Sequence, residues 1–143
     1  MNKGFSLIEL MIVICIAGLL AAFGFPRAAR LMDWLATEKA TRDVTTAIAV
    51  GRHGAVLQAT RARITIAADT LRIDRLGATG WEPWWRLPGP NSLGVELRVS
   101  NPIVVFGPTG MGWGVSNTKI ELRRGSQVET ITLSRLGRVK RWW

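Results

Sequence analysis

Between Leu10 and Phe25 the chain carries no charged side chain (LMIVICIAGLLAAFGF), and this run limits the fold more than any other feature of its 143 residues. A helix over residues 5–25 would be ~30 Å long, about the thickness of a bilayer core. The run is therefore read as a membrane-length helix. A cleaved secretory signal is the rival reading, but it needs a shorter apolar stretch and a small-x-small site. Ala21-Ala22-Phe23 and Ala28-Ala29-Arg30 are poor versions of such a site, and the polar start is short. The chain from Pro26 onward is long enough for one hydrophobic core. With 48% hydrophobic and 20% charged residues, wholesale disorder is excluded.

One side chain breaks the apolar pattern. Glu9 lies four positions into the segment, where a carboxylate is costly and so marks a functional position. Two readings stay open. Glu9 either snorkels to the headgroup boundary or pairs with a cation, which removes much of the burial penalty. A free amine on Phe5, exposed by cleavage after Gly4, would supply that cation in a neighbouring copy. Cys15, the lone cysteine, lies within the run and reads as a small hydrophobe. It rules out an intramolecular disulfide scaffold. Pro26 marks the end of the apolar run, either as a bend within one helix or as the first-turn residue of a second.

Lys3-Gly4-Phe5-Ser6-Leu7-Ile8-Glu9-Leu10, followed by the apolar run and Pro26, closely resembles the class III leader of type IV pilins and type II secretion pseudopilins. The resemblance implies that a prepilin peptidase cuts after Gly4 and methylates the new amino-terminal Phe5. It implies that Glu9 registers subunits within a filament, and that the other partners are further pilin or pseudopilin subunits. It further implies inner-membrane storage as a single-pass protein, with a periplasmic carboxy-terminal domain, before assembly into a pilus or pseudopilus. The expected organisation is a leader over 1–4, a membrane and filament-core helix over 5–25, an amphipathic continuation over 26–60, and a β-rich domain over 61–143.

The helical continuation is expected to carry an apolar stripe through Leu31, Leu35, Val44, Ile48 and Val56, with charged residues on other faces. Gly51-Arg52-His53-Gly54 is weak for a helix and predicts a bend or early fraying. After Thr60 the period becomes two. Ile64 and Ile66 form one arm of a hairpin, Leu71 and Ile73 the other, with a turn at Asp69-Thr70. Residues 77–90 read as a loop with at most one edge strand. Further strands are expected around 95–99, 103–106, 119–123, 130–134 and 136–141. The fold class is α+β: a long amino-terminal helix packed on an antiparallel β-sheet domain. Gly80-Trp81-Glu82, Phe106-Gly107-Pro108-Thr109-Gly110 and Leu136-Gly137-Arg138-Val139 resemble the GspH/FimT-like branch of minor pilins and pseudopilins.

An enzyme reading lacks parts. His53 is the single histidine, so the clustered ligands of a zinc site are missing, and no cofactor is expected. The glycine-rich segment 107–114 ends in Trp113-Gly114, where a phosphate-binding loop needs Gly-Lys-Ser/Thr. The formal charge of +9 favours anionic partners without choosing among them. The most basic segment holds Arg135, Arg138, Lys140 and Arg141 without an acid, and ends in Trp142-Trp143. On a strand Arg138 and Lys140 share a face, a spacing suited to consecutive phosphates of DNA, beside an aromatic stacking surface. FimT-like minor pilins carry a Gly-Arg-x-Arg motif associated with DNA binding, and this chain has Gly137-Arg138-Val139-Lys140 in its place. Lysine keeps the charge there and loses the guanidinium fork. The alternative is a solvated last strand in a secretion pseudopilin that binds only proteins. Trp81, Trp84 and Trp85 are expected as packing anchors.

Overall fold

The computed structural model describes residues 6–142. A single helix, α1 (Leu7–Leu57), precedes eight strands: β1 (Ala62–Ile66), β2 (Thr70–Leu76), β3 (Trp81–Pro88), β4 (Glu96–Val99), β5 (Ile103–Phe106), β6 (Thr118–Arg124), β7 (Gln127–Leu133) and β8 (Val139–Trp142). The strands form two antiparallel sheets, ordered β3-β2-β1-β5 and β4-β6-β7-β8. The α+β expectation holds, with two sheets in place of one.

The chain divides into two compact units, the first closing at Met32 and the second opening at Asp33. Among the described residues α1 is the one helix long and apolar enough to cross a membrane, and none of that span is buried. Pro26 lies inside α1 without ending it, so it does not open a second helix. Its missing N–H leaves the Ala22 carbonyl without a helical donor.

In the second unit α1 buries Thr37, Ala40, Thr41, Val44, Ala47, Ile48, Gly51, Gly54 and Ala55, a stripe at three- and four-residue spacing. The expected stripe is only partly right. Val44 and Ile48 are buried, whereas Leu31, Leu35 and Val56 are exposed. Within the second unit the buried face is mostly Thr, Ala and Gly, which lets the strands come close, and Leu35 and Val56 fall outside that face.

Gly51 and Gly54 make that approach possible and do not end the helix. A Cβ on Gly51 would lie 2.6 Å from the Cδ1 and Cγ1 atoms of Ile64, and one on Gly54 would meet the six-membered ring of Trp84. The helix instead closes beyond Leu57, where Ala59 turns left-handed (φ 48°) and the Thr60 amide donates to the Ala55 carbonyl at 3.1 Å.

The first sheet pairs Ile64 with Ile73 and Ile66 with Leu71, as the hairpin reading requires. Residues 81–88, expected mainly as loop, form a full edge strand. Pro83 and Pro88 are tolerated there because an edge strand has unpaired positions. A bulge leaves Trp84 between Trp85, opposite Ile73, and Pro83, opposite Asp74. That extra residue turns the Trp84 ring onto Gly54. In the second sheet Ile120, Leu122, Ile131 and Leu133 face inward, joining Phe106, Val104 and the helix stripe in one core.

Gly54→Ala tests this packing. The helix-propensity gain of about 1 kcal/mol is outweighed by overpacking of roughly 1–3 kcal/mol against a rigid indole. Thermal denaturation of the full chain in detergent should show a lower Tm, with altered tryptophan fluorescence.

Candidate functional site

Gly4 and Phe5 lie outside the described residues. Glu9 stands exposed in the first turn of α1, where the Ser6 carbonyl accepts the amides of Glu9 and Leu10 at 3.0 and 3.2 Å. A carboxylate at this end complements the helix dipole.

The basic carboxy-terminal segment is divided between two faces of the second sheet. Period-two alternation sends Lys140 and Trp142 outward and Val139 and Arg141 inward. On the outer face, register places Lys119 opposite Thr132 and Thr132 opposite Lys140, so one row crosses β6, β7 and β8. With strands ~4.8 Å apart, the two lysine positions are ~10 Å from each other. Arg138, Ser134, Thr118 and Ser100 complete the rim of a shallow basin of about 530 Å³. Among the described residues no carboxylate lines it. Further along the same face Arg98 is opposite Glu121 and Glu96 opposite Arg123, so charges there are matched across strands.

Local contacts fix the basin's cations. The Lys140 ammonium lies 3.7 Å from the Trp142 ring centroid, and the Trp142 indole Nε1 donates to Thr132 Oγ1 at 3.3 Å. The turn before β8 is closed by the Ser134 amide donating to the Arg138 carbonyl at 3.0 Å, with Gly137 in the left-handed region (φ 75°). Arg135 is exposed on that turn, and its carbonyl accepts the Gly112 amide at 2.7 Å, outside the basin lining.

Arg141 stands apart from the other three. Its Nη2 donates to Glu38 Oε2 on α1 and to Glu129 Oε2 at 2.9 Å. Arg42 Nε reaches Glu38 Oε1 at 2.8 Å. The hydrogen bonds from Arg141, then from Arg42, hold the Glu38 carboxyl below the usual carboxylate range. The Glu38 hydrogen bond also raises the Arg141 guanidinium above its ordinary value. Arg141 thus clasps the last strand to the helix, with its charge already matched. Arg124 makes a second clasp to Asp33 Oδ1 at 2.9 Å.

Arg138 and Lys140 line one basin, and Lys119, Thr132 and Ser134, which line it with them, were not singled out from the sequence. Lys119 alternates with Ile120, which marks it as outward; its place beside Lys140 depends on which strands pair. His53 is exposed on α1. Among the described residues no group of three or more His, Cys, Asp or Glu is placed to hold a metal ion. In the glycine-rich connection the Gly107, Gly110, Gly112 and Trp113 amides all donate to backbone carbonyls, so they form no phosphate cradle.

The model of the prokaryotic N-terminal methylation motif matches residues 1–25. No curated protein matches the chain by sequence. The structure is similar to the type IV minor pilin FimU of Pseudomonas aeruginosa, with a TM-score of 0.62, 15% identity, and coverage of 73% of this chain and 86% of that one. It is also similar to the minor pseudopilin EpsH from the type 2 secretion system of Vibrio cholerae, with a TM-score of 0.61, 12% identity, and coverage of 74% and 95%. At such identities the likeness speaks for the fold. The chain thus carries the methylation motif at its start and a fold like that of these two proteins.

The clasp generates a pH prediction. Because the folded-state pKa of Glu38 is lowered, its contribution to stability is present above the unfolded carboxylate range, near pH 4, and is lost as pH falls through the folded value. Glu38→Gln should lower stability at pH 7 by roughly 2 kcal/mol. In denaturation measured across pH, the gap to the unaltered protein should close below about pH 4.

Proposed function

We propose that this chain is a minor pilin or pseudopilin, a structural subunit cleaved after Gly4 and methylated on Phe5. The carrying observation is the first half of α1: a membrane-length apolar helix with no buried residue, headed by the methylation motif and a single carboxylate. Such a surface is stable in lipid, or against the equivalent helices of other subunits. Glu9 registers neighbouring subunits by pairing with the amine of a processed Phe5, and Pro26 shapes the helix where it leaves the membrane. The β-rich unit faces the periplasm before assembly, and the filament is a type IV pilus with this chain as an assembly or tip component. No catalytic role is assigned.

The basin on the second sheet supports DNA as a partner. Lys119, Lys140 and Arg138 surround hydroxyls and meet no carboxylate among the described residues, which suits phosphate oxygens. Arg135 lies on the adjoining turn and extends the field, while Arg141 supports β8 from behind. The alternative is a type II secretion subunit whose contacts are with proteins alone.

Intact-mass analysis of the mature chain, produced with a prepilin peptidase, should show methylated Phe5 at the amino terminus. A mature chain starting at Met1 would overturn the filament reading. Glu9→Ala should be cut normally yet fail to enter filaments. For DNA, the full chain in detergent should shift duplex DNA at low salt. Arg138→Ala with Lys140→Ala should reduce the salt slope by roughly 1 for each phosphate that is no longer neutralised. Absence of any low-salt shift would leave the secretion alternative.

A further inference from the structure

The outer face of the first sheet carries an arrangement that folding alone disfavours. Arg72 on β2 and Arg86 on β3 are directly opposite each other. Paired positions of this kind hold their Cβ atoms about 5 Å apart, and like charges there repel. Arg72 approaches the buried Asp74 through Nε, at 3.2 Å from Oδ1. Asp74 is already engaged by Arg63, whose Nε and Nη2 donate to Oδ2 at 3.1 and 2.8 Å. Arg86 makes no ion pair among the described residues, and its Nε donates to Thr70 Oγ1 at 3.2 Å. Both guanidinium groups are thus oriented through Nε, and both residues are exposed. Asp69 shares a second depression with Arg86, Thr70, Leu87 and Pro88, without an ion pair to Arg86 among the described residues.

Arg72 and Arg86 share one depression of about 300 Å³ with Pro83, Trp84 and Trp85. Trp84 is held against Gly54 on α1 yet remains 37% exposed. Two forked cations beside a rigid aromatic wall form a receptor for an oxyanion attached to a flat group. The sheet edge decides between peptide and nucleic acid. An acidic peptide would gain most by adding as a strand along β3, but Pro83 and Pro88 interrupt that edge. A nucleotide needs no backbone ladder, only a phosphate clamp and a stacking surface.

We infer that Arg72 and Arg86 clamp a phosphate of single-stranded nucleic acid, with the adjoining base against Trp84 and Pro83. This contact is separate from the basin on the second sheet and does not depend on it. It accounts for a like-charged cross-strand pair: bound phosphate relieves a repulsion that the unliganded sheet bears.

The test uses the full chain in detergent carrying Arg138→Ala and Lys140→Ala, so that the basin contributes little. An oligothymidylate of ten nucleotides is the probe, titrated by fluorescence anisotropy over a series of salt concentrations. Adding Arg86→Glu should weaken binding about tenfold or more and reduce the salt slope by about 0.7, the value for one phosphate on a single strand. The same variant should keep or raise the Tm, since it turns a repulsive pair into an attractive one. Arg86→Lys should fall between, keeping charge without the fork. Unchanged affinity and slope in Arg86→Glu would overturn the inference, and so would a lowered Tm accompanying the loss. Displacement of the oligonucleotide by polyglutamate at equal charge concentration would overturn it in favour of an acidic peptide. If the basin variants abolish duplex binding while oligothymidylate binding persists, the two surfaces are separate, as inferred.

Discussion

The second unit depends on how closely its strands approach the helix. A face built from Ala, Thr and Gly buries little apolar area per residue, so it must gain its stability from proximity. At Gly51 and Gly54 that proximity is greatest, with Ile64 and Trp84 filling the space a side chain would need. Within this unit Val44 and Ile48 are buried among those small residues, while Leu35 and Val56 fall outside the buried face.

Ionic contacts hold what packing leaves open. Arg141 and Arg124 come from strands in the second sheet and reach acids five residues apart on α1, Glu38 and Asp33. Each pair is partly shielded from water, so dissolved salt screens it less than an exposed ion pair. The first sheet has its own arrangement in Asp74, a buried carboxylate satisfied by two arginines. Many of the chain's excess cations are thus structural. The charge of +9 therefore overstates the field offered to a partner.

The leader and the apolar run were legible because they depend on local sequence: an octapeptide and an unbroken hydrocarbon stretch need no partner strand to be read. The strands were legible wherever alternation was clean, as in Ile64/Ile66 and Ile120/Leu122. β3 was obscured because its prolines and tryptophans resemble a loop, and only its edge position explains them. The glycines of α1 suggested fraying because helix propensity is an isolated-helix property, which tertiary contact overrode. The candidate basin was half legible. Arg138 and Lys140 were placed on one face by alternation, and the same alternation turned Arg141 inward, but Lys119 joined them only through strand pairing.

Arg52 illustrates how one helix side chain can govern distant turns. Its Nε donates to the Gly110 carbonyl at 3.0 Å and its Nη1 to the Gly137 carbonyl at 3.4 Å. The first turn follows the edge strand of one sheet, and the second introduces the edge strand of the other. Loosening either frees a hydrogen-bond donor that the remaining turn cannot satisfy alone. Amide protons in the two turns should therefore exchange with solvent as a single cooperative group, although they are far apart in the chain.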